Sequence, residues 1–126
     1  MNLVLQKPKS SCCGQCCVAM VAGITLKASY KVFGTKGATT TKSVRRALDK
    51  LGYEVNERLK TFRNEASLPS PCMLVLRFPK EVQRCGHWVV YHNSLIYCPS
   101  LGIYSFSALS ARDGVKCTSY LGFTAK

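Results

Sequence analysis

A thiol acts as a nucleophile when its surroundings favour the anion and a base stands ready for its proton. The stretch Ser10-Ser11-Cys12-Cys13-Gly14-Gln15-Cys16-Cys17-Val18-Ala19-Met20-Val21 offers the first condition. It places four of the eight cysteines within six positions, where a polar loop gives way to an apolar, helix-like run. At a helix N-terminus, unpaired backbone N–H groups and the positive end of the dipole are expected to depress a thiol pKa. The stretch Gly86-His87-Trp88-Val89-Val90-Tyr91 offers the second condition, a histidine heading a strand-like run. A helix packed on that strand brings thiol and imidazole within reach of each other. Gln6, a few residues before the helix, can donate to an oxyanion formed on an attacked carbonyl. The cysteine's own backbone N–H is then a second donor.

The positioning elements read as follows. Asn2 to Leu5 is a short extended lead-in, and Gln6 to Ser11 is a polar loop broken by Pro8. Cys13 to Ile24 is apolar on nearly every side, which suits a buried helix, with Gly23 near its end. Thr25 caps a second helix, Leu26 to Phe33, ended by Gly34. Thr41 caps a third, Lys42 to Leu51, with Val44, Ala47, Leu48 and Leu51 at helical spacing. Its opposite face carries Lys42, Arg45, Arg46 and Lys50, read as a solvated face.

Beyond Gly52 the period falls to two. Tyr53 to Val55, Cys72 to Phe78, His87 to Tyr91, Leu95 to Tyr97, Gly102 to Phe106 and Cys117 to Phe123 are strand candidates. Leu59 to Ser70 is irregular, Lys80 to Gly86 is a charged turn, and His92-Asn93-Ser94 turns a hairpin. Helices first and antiparallel strands second define an α+β class. The expected organisation is one domain over 1–126, helical to about residue 52 and sheet beyond it.

The net charge of +12, from 18 basic and 6 acidic residues, implies attraction to nucleic acid, an acidic protein or an anionic surface, and equally suits a small basic protein kept soluble by its charge. A peptide or protein substrate of acidic character fits, and nucleic acid stays open as the lesser reading. No apolar run reaches membrane-spanning length and the N-terminus carries no signal-peptide pattern, so the expected location is cytoplasmic. In a reducing compartment most of the eight cysteines are free thiols, and Cys72, Cys85 and Cys117 read as structural. Cys85, beside Gly86-His87, borders any cleft there. No cofactor is called for. Cys13, His87 and Cys98, with Cys12 or Cys16, form a weak zinc-ligand alternative, since no second paired-ligand motif accompanies Cys13-x-x-Cys16.

Gln6 and the Ser11-to-Met20 stretch resemble the nucleophile segment of the papain-like, bacteriocin-processing (double-glycine leader) cysteine peptidases. The later Gly86-to-Tyr91 run, followed by Ile96-Tyr97-Cys98-Pro99-Ser100-Leu101-Gly102, resembles their His-Trp/Phe-Val-Val-Val and Tyr-Asp-Pro-x-x-Gly segments. The resemblance covers roughly the whole chain and implies a papain-like fold, N-terminal helices on a C-terminal antiparallel sheet, in a phage or bacterial protein. It implies Cys13 as nucleophile, His87 as general base and Gln6 as oxyanion donor, with Gly86 and Trp88 beside the substrate. Cys13 is favoured because Gly14 follows it. A papain-type Cys-Gly-x-Cys alignment selects Cys16, and counting from Gln6 selects Cys12. The family's Asp is Cys98 here. That leaves three readings: a Cys–His dyad, a thiolate in place of the carboxylate, or a degenerate site that binds an acidic partner without cutting. Asp113 and Asn93 lie nearby in sequence but match no motif.

Overall fold

The computed structural model describes residues 1–8, 10–79, 86–112 and 114–126. The charged turn, Cys85 and Asp113 therefore lie outside the described residues, apart from Gly86.

Three helices come first: α1 (Cys13–Ala22), α2 (Leu26–Phe33) and α3 (Thr41–Lys50). Helix α1 stops where Gly23 takes a left-handed φ of 68°, two residues short of the sequence expectation. A residue without Cβ adopts that conformation at no steric cost. Thr25 caps α2 by accepting from the Ala28 N–H. The cap of α3 is Thr40 rather than the expected Thr41. Its hydroxyl accepts from Ser43 N–H while Ser43 Oγ accepts from Thr40 N–H. Only Thr40 has an N3 partner able to close this reciprocal pair.

Eight strands follow: β1 (Tyr53–Val55), β2 (Lys60–Thr61), β3 (Cys72–Arg77), β4 (His87–His92), β5 (Leu95–Cys98), β6 (Gly102–Ser105), β7 (Lys116–Leu121) and β8 (Phe123–Ala125). A 3-10 turn at Glu65–Ser67 interrupts the irregular stretch, and α4 (Phe106–Ser110) fills the interval before β7. Six strands form an antiparallel sheet in the order β2-β7-β3-β4-β5-β6, and β1 pairs with β8 alongside. The β4–β5 hairpin turns at Asn93 and Ser94, both at positive φ as a two-residue type I′ turn demands. Leu3 and Val4 pack on the core without joining the sheet.

The sheet has a buried layer on each face. Met73, Val75, Trp88, Val90, Tyr97 and Leu121 face α1 and α3, against Cys17, Val18, Met20, Val44 and Leu48. The alternate residues Leu74, Leu76, Val89, Tyr91 and Ile96 face Phe106 and Leu109 of α4. Burial on both faces explains why β3 and β4 read as continuous apolar runs in the sequence. Helix α1 lies against β4, which carries the cysteine cluster to the head of the histidine strand.

Candidate active site

Among the described cysteines, Cys13 is the one that lines the cleft. The cleft has a volume of about 370 Å³ and is walled by Gln6, Ser10, Ser11, Cys13, Ala38, Thr39, Gly86, His87, Trp88 and Ser100. Cys13 is the first residue of α1, half-buried, with its thiol beside the backbone N–H of Trp88. Cys12 and Cys16 are fully buried and face each other, Sγ to Sγ, at 3.8 Å. Cys17 belongs to the core between helices and sheet.

The thiol pKa values depart from the sequence expectation. Burial raises Cys13 above its usual 9.0, and the N–H groups of Trp88 and Gly14 recover only part of that. Desolvation here outweighs the helix N-terminus. The lowered thiol is its neighbour. Burial pushes Cys12 up, yet hydrogen bonds from Ser10, Tyr30, Cys16 and the Lys7 backbone together leave it below 9.0. Cys16 and Cys17 are both raised by burial and by nearby thiols.

His87 opens β4 and is 5% exposed. It shares sheet parity with Val89 and Tyr91, so its ring stands on the α4 face, edge-on to Phe78 at 5.8 Å. Its Nε2 lies 3.4 Å from Cys98 Sγ and 3.5 Å from Ser100 Oγ. Ser100 Oγ is in turn 3.3 Å from Cys98 Sγ. The position expected to carry a carboxylate thus does meet the imidazole, but with a thiol and a hydroxyl in its place. Burial, with a smaller push from the Arg112 charge, lowers the His87 pKa to about 4. Cys13 and His87 share the cleft without a hydrogen bond between them. Such contacts are commonly long in unliganded sites and tighten on binding.

Gln6 reaches the cleft from the loop before α1. Its backbone N–H donates to Pro99 O at 2.9 Å, which ties that loop to the turn carrying Cys98 and Ser100. Its Nε2 donates to Ser10 O at 3.0 Å, while Oε1 is buried without a partner. Gly86 and Trp88 lie in the wall, as the resemblance implies. The zinc alternative is not supported: no group of three or more His, Cys, Asp or Glu among the described residues is arranged to hold a metal ion.

Sequence reasoning missed Thr39 and Ser100. The signal for Thr39 was Gly14. A Cβ there would overlap the Thr39 hydroxyl and lie 3.1 Å from its Cγ2. The 35–40 loop closes on the helix start only because position 14 has no side chain. Gln15, fully buried, holds the same loop by donating to Thr35 O and Gly37 O at 3.1 and 2.8 Å. Gly14→Ala is therefore expected to cost about 1–3 kcal/mol through overpacking, read as a fall in thermal midpoint. The Gly14→Ala/Thr39→Ala double variant, which removes both the hydroxyl and the methyl, should recover part of it; additive losses would mean the two do not touch. The basic face of α3 also differs from expectation, because Arg45 Nε donates to Asn56 O at 2.7 Å instead of standing free in solvent.

No protein-family model and no curated protein matches this chain. Solved structures do. The peptidase domain of Streptococcus ComA, a bifunctional ABC transporter of a quorum-sensing pathway, matches with a TM-score of 0.68 at 19% identity, over 99% of this chain and 98% of that one. A double-glycine-motif protease from an AMS/PCAT transporter, solved with the leader peptide, matches at 0.65 and 18% identity, over 98% and 91%. The peptidase domain of Streptococcus mutans ComA matches at 0.59 and 19%, over 98% and 99%. The fold is the papain-like α+β fold of cysteine peptidase domains. The solved structures that share it include two ComA peptidase domains and a double-glycine-motif protease.

Proposed function

We propose that the chain is a cysteine peptidase-like hydrolase working through a Cys13–His87 dyad on a peptide or amide carbonyl. The observation that supports this best is that Cys13, His87 and Gln6 line one cleft, on a fold shared with double-glycine peptidase domains. With His87 at about 4 and Cys13 above 9.0, the resting pair is neutral thiol and neutral imidazole. The proton passes from Cys13 Sγ to His87 as sulfur attacks, instead of beforehand. Gln6 Nε2 keeps one N–H beyond the bond to Ser10, and this with the Cys13 backbone N–H receives the oxyanion. Imidazolium returns the proton to the leaving amine, and water attacking the acyl-thioester regenerates the thiol.

Cys98 and Ser100 orient the imidazole through Nε2, which leaves Nδ1 for the thiol. They hold the ring by hydrogen bonding, with no carboxylate there to stabilise its charged form. Gly86 and Trp88 flank the substrate, and the likeness to double-glycine peptidase domains implies small residues such as Gly-Gly before the cut. The setting is the cytoplasm of a phage-infected or bacterial cell, with all of 1–126 acting as one peptidase domain. No helix among the described residues is long and apolar enough to cross a membrane.

A second reading follows from the missing carboxylate: a degenerate papain-like module that binds an acidic partner without cutting. Incubation with short Gly-Gly-containing peptides, read by mass spectrometry, separates the two. For an enzyme, the peptide is cut and the cleavage slows at least about tenfold in His87→Ala. Binding of an acidic peptide with no cleavage, unchanged in His87→Ala, would overturn the peptidase reading and favour the binding module.

A further inference from the structure

A cavity larger than the cleft lies elsewhere on the surface. It is a surface pocket of about 670 Å³ lined by Lys7, Leu26, Lys27, Tyr30, Lys31, Gly34, Thr35 and Lys36. Its floor comes from one stripe of α2, where Leu26 and Tyr30 stand one turn apart. The adjoining stripe places Lys27 and Lys31 one turn apart on the rim. Lys7 closes one side and Lys36 the other, with Lys36 Nζ 5.7 Å from the centre of the Tyr30 ring. The four lysines are exposed, and no acidic side chain among the described residues lines the pocket. The one ion pair among the described residues, Lys126 with Asp49, is elsewhere. Like charges at i, i+4 repel. Four cations around an apolar floor are a costly arrangement for a free surface and a favourable one for an anionic partner.

We propose that this pocket docks an acidic peptide segment, with an apolar side chain of that segment on Leu26 and Tyr30 and its carboxylates on Lys7, Lys27, Lys31 and Lys36. The apolar floor decides for peptide over nucleic acid, which would ask for phosphate contacts along a groove and several stacking faces. Placement favours a partner that also visits the cleft. Lys7 lines the pocket and its neighbour Gln6 lines the cleft; Thr35 and Lys36 line the pocket while Ala38 and Thr39 line the cleft. The same two chain segments thus contribute to both sites through different residues, and Gln15 pins the second of them to α1 through its bonds to Thr35 O and Gly37 O. The pocket itself needs no reactive thiol, so it stands whether or not Cys13 cuts.

Fluorescence anisotropy on the wild-type protein tests this directly. The probes are a short fluorescein-labelled peptide of Glu and Leu, the same length of Glu and Ser, and a labelled thymidine oligonucleotide. The Glu/Leu peptide should bind best, and its affinity should fall as salt rises. Lys27→Glu/Lys31→Glu, a pair of exposed residues, should weaken it at least about tenfold. Lys42→Glu/Lys50→Glu on α3 removes the same charge elsewhere and should change it less than about twofold. Equal losses in the two double variants would reduce the effect to net charge and overturn the site. Equal affinity for Glu/Leu and Glu/Ser peptides would remove the apolar anchor, and tighter oligonucleotide binding would replace the partner. Because anisotropy reads binding without turnover, each outcome is distinct from failure of the peptidase reading.

Discussion

Cys13→Ala should abolish peptide hydrolysis, lowering the rate at least about 1,000-fold and leaving no acyl-enzyme detectable by intact-mass spectrometry. The fold should survive, because Cys13 is half-buried at the first turn of α1 and the core lies one turn deeper, at Cys17 and Val18. Cys13→Ser should be as inactive. A hydroxyl demands a stronger base than a thiol, and an imidazole whose pKa is about 4 is a weak one. Parallel Cys12→Ala and Cys16→Ala variants make the test specific. Both thiols are fully buried, so their loss should register in thermal stability and only modestly in turnover. Abolition of activity by Cys12→Ala with Cys13→Ala still active would transfer the nucleophile to the neighbouring thiol. Cys12 is the alternative to take seriously, as it alone of the cluster has a lowered pKa.

Cys98→Asp should raise the reactivity of Cys13 at neutral pH by roughly 10- to 100-fold. A carboxylate about 3–4 Å from an imidazole favours the charged ring and commonly moves such a pKa by about 1–3 units. The sign follows from the starting values. In the wild-type protein His87 is neutral above about pH 4, and Cys13 stays protonated until the pH passes 9.0. Alkylation of Cys13 should therefore climb steadily through neutral into alkaline pH with no plateau. In the Cys98→Asp variant the His87 pKa rises but stays below that of Cys13, so the pair still rests neutral and the gain comes from a stronger base taking the thiol proton as sulfur attacks. The rate at neutral pH then increases, still without a plateau. Iodoacetamide rates against pH for the two proteins measure this. An unchanged profile would mean that the Cys98 position does not act on His87, despite the 3.4 Å contact. A rate gain that disappears in Cys98→Asp/His87→Ala would tie it to the imidazole.

The two segments that carry the candidate site were readable because their signals are local. A polar loop before an apolar run starts a helix, and a histidine before Trp88-Val89-Val90-Tyr91 starts a strand. Both elements begin where the sequence places them, at Cys13 and His87. Helix α2 agrees to the residue, because Thr25 and Gly34 bracket it with a side-chain cap and a left-handed stop. The misses have equally local causes. Three consecutive threonines offered three caps for α3, and the choice of Thr40 turned on Ser43 three positions on. The strand pair Lys60–Thr61 is too short to show a period and exists because β7 holds it.

What the sequence by itself determined is the inventory: a thiol cluster at a helix start, a histidine at a strand head, a cysteine where a carboxylate was expected, and an α+β order of elements. Each rests on near neighbours in the chain, so each is written in a short stretch. The tertiary structure alone decided which thiol faces the cleft, since that depends on how α1 is rotated against β4. It also decided that burial overrides the helix N-terminus at Cys13 and that Cys98 reaches Nε2 of His87. The gathering of Lys7 and Lys36 with the lysines of α2 around Leu26 and Tyr30 is likewise its doing. Desolvation and convergence depend on groups far apart in sequence, and no spacing along the chain encodes them.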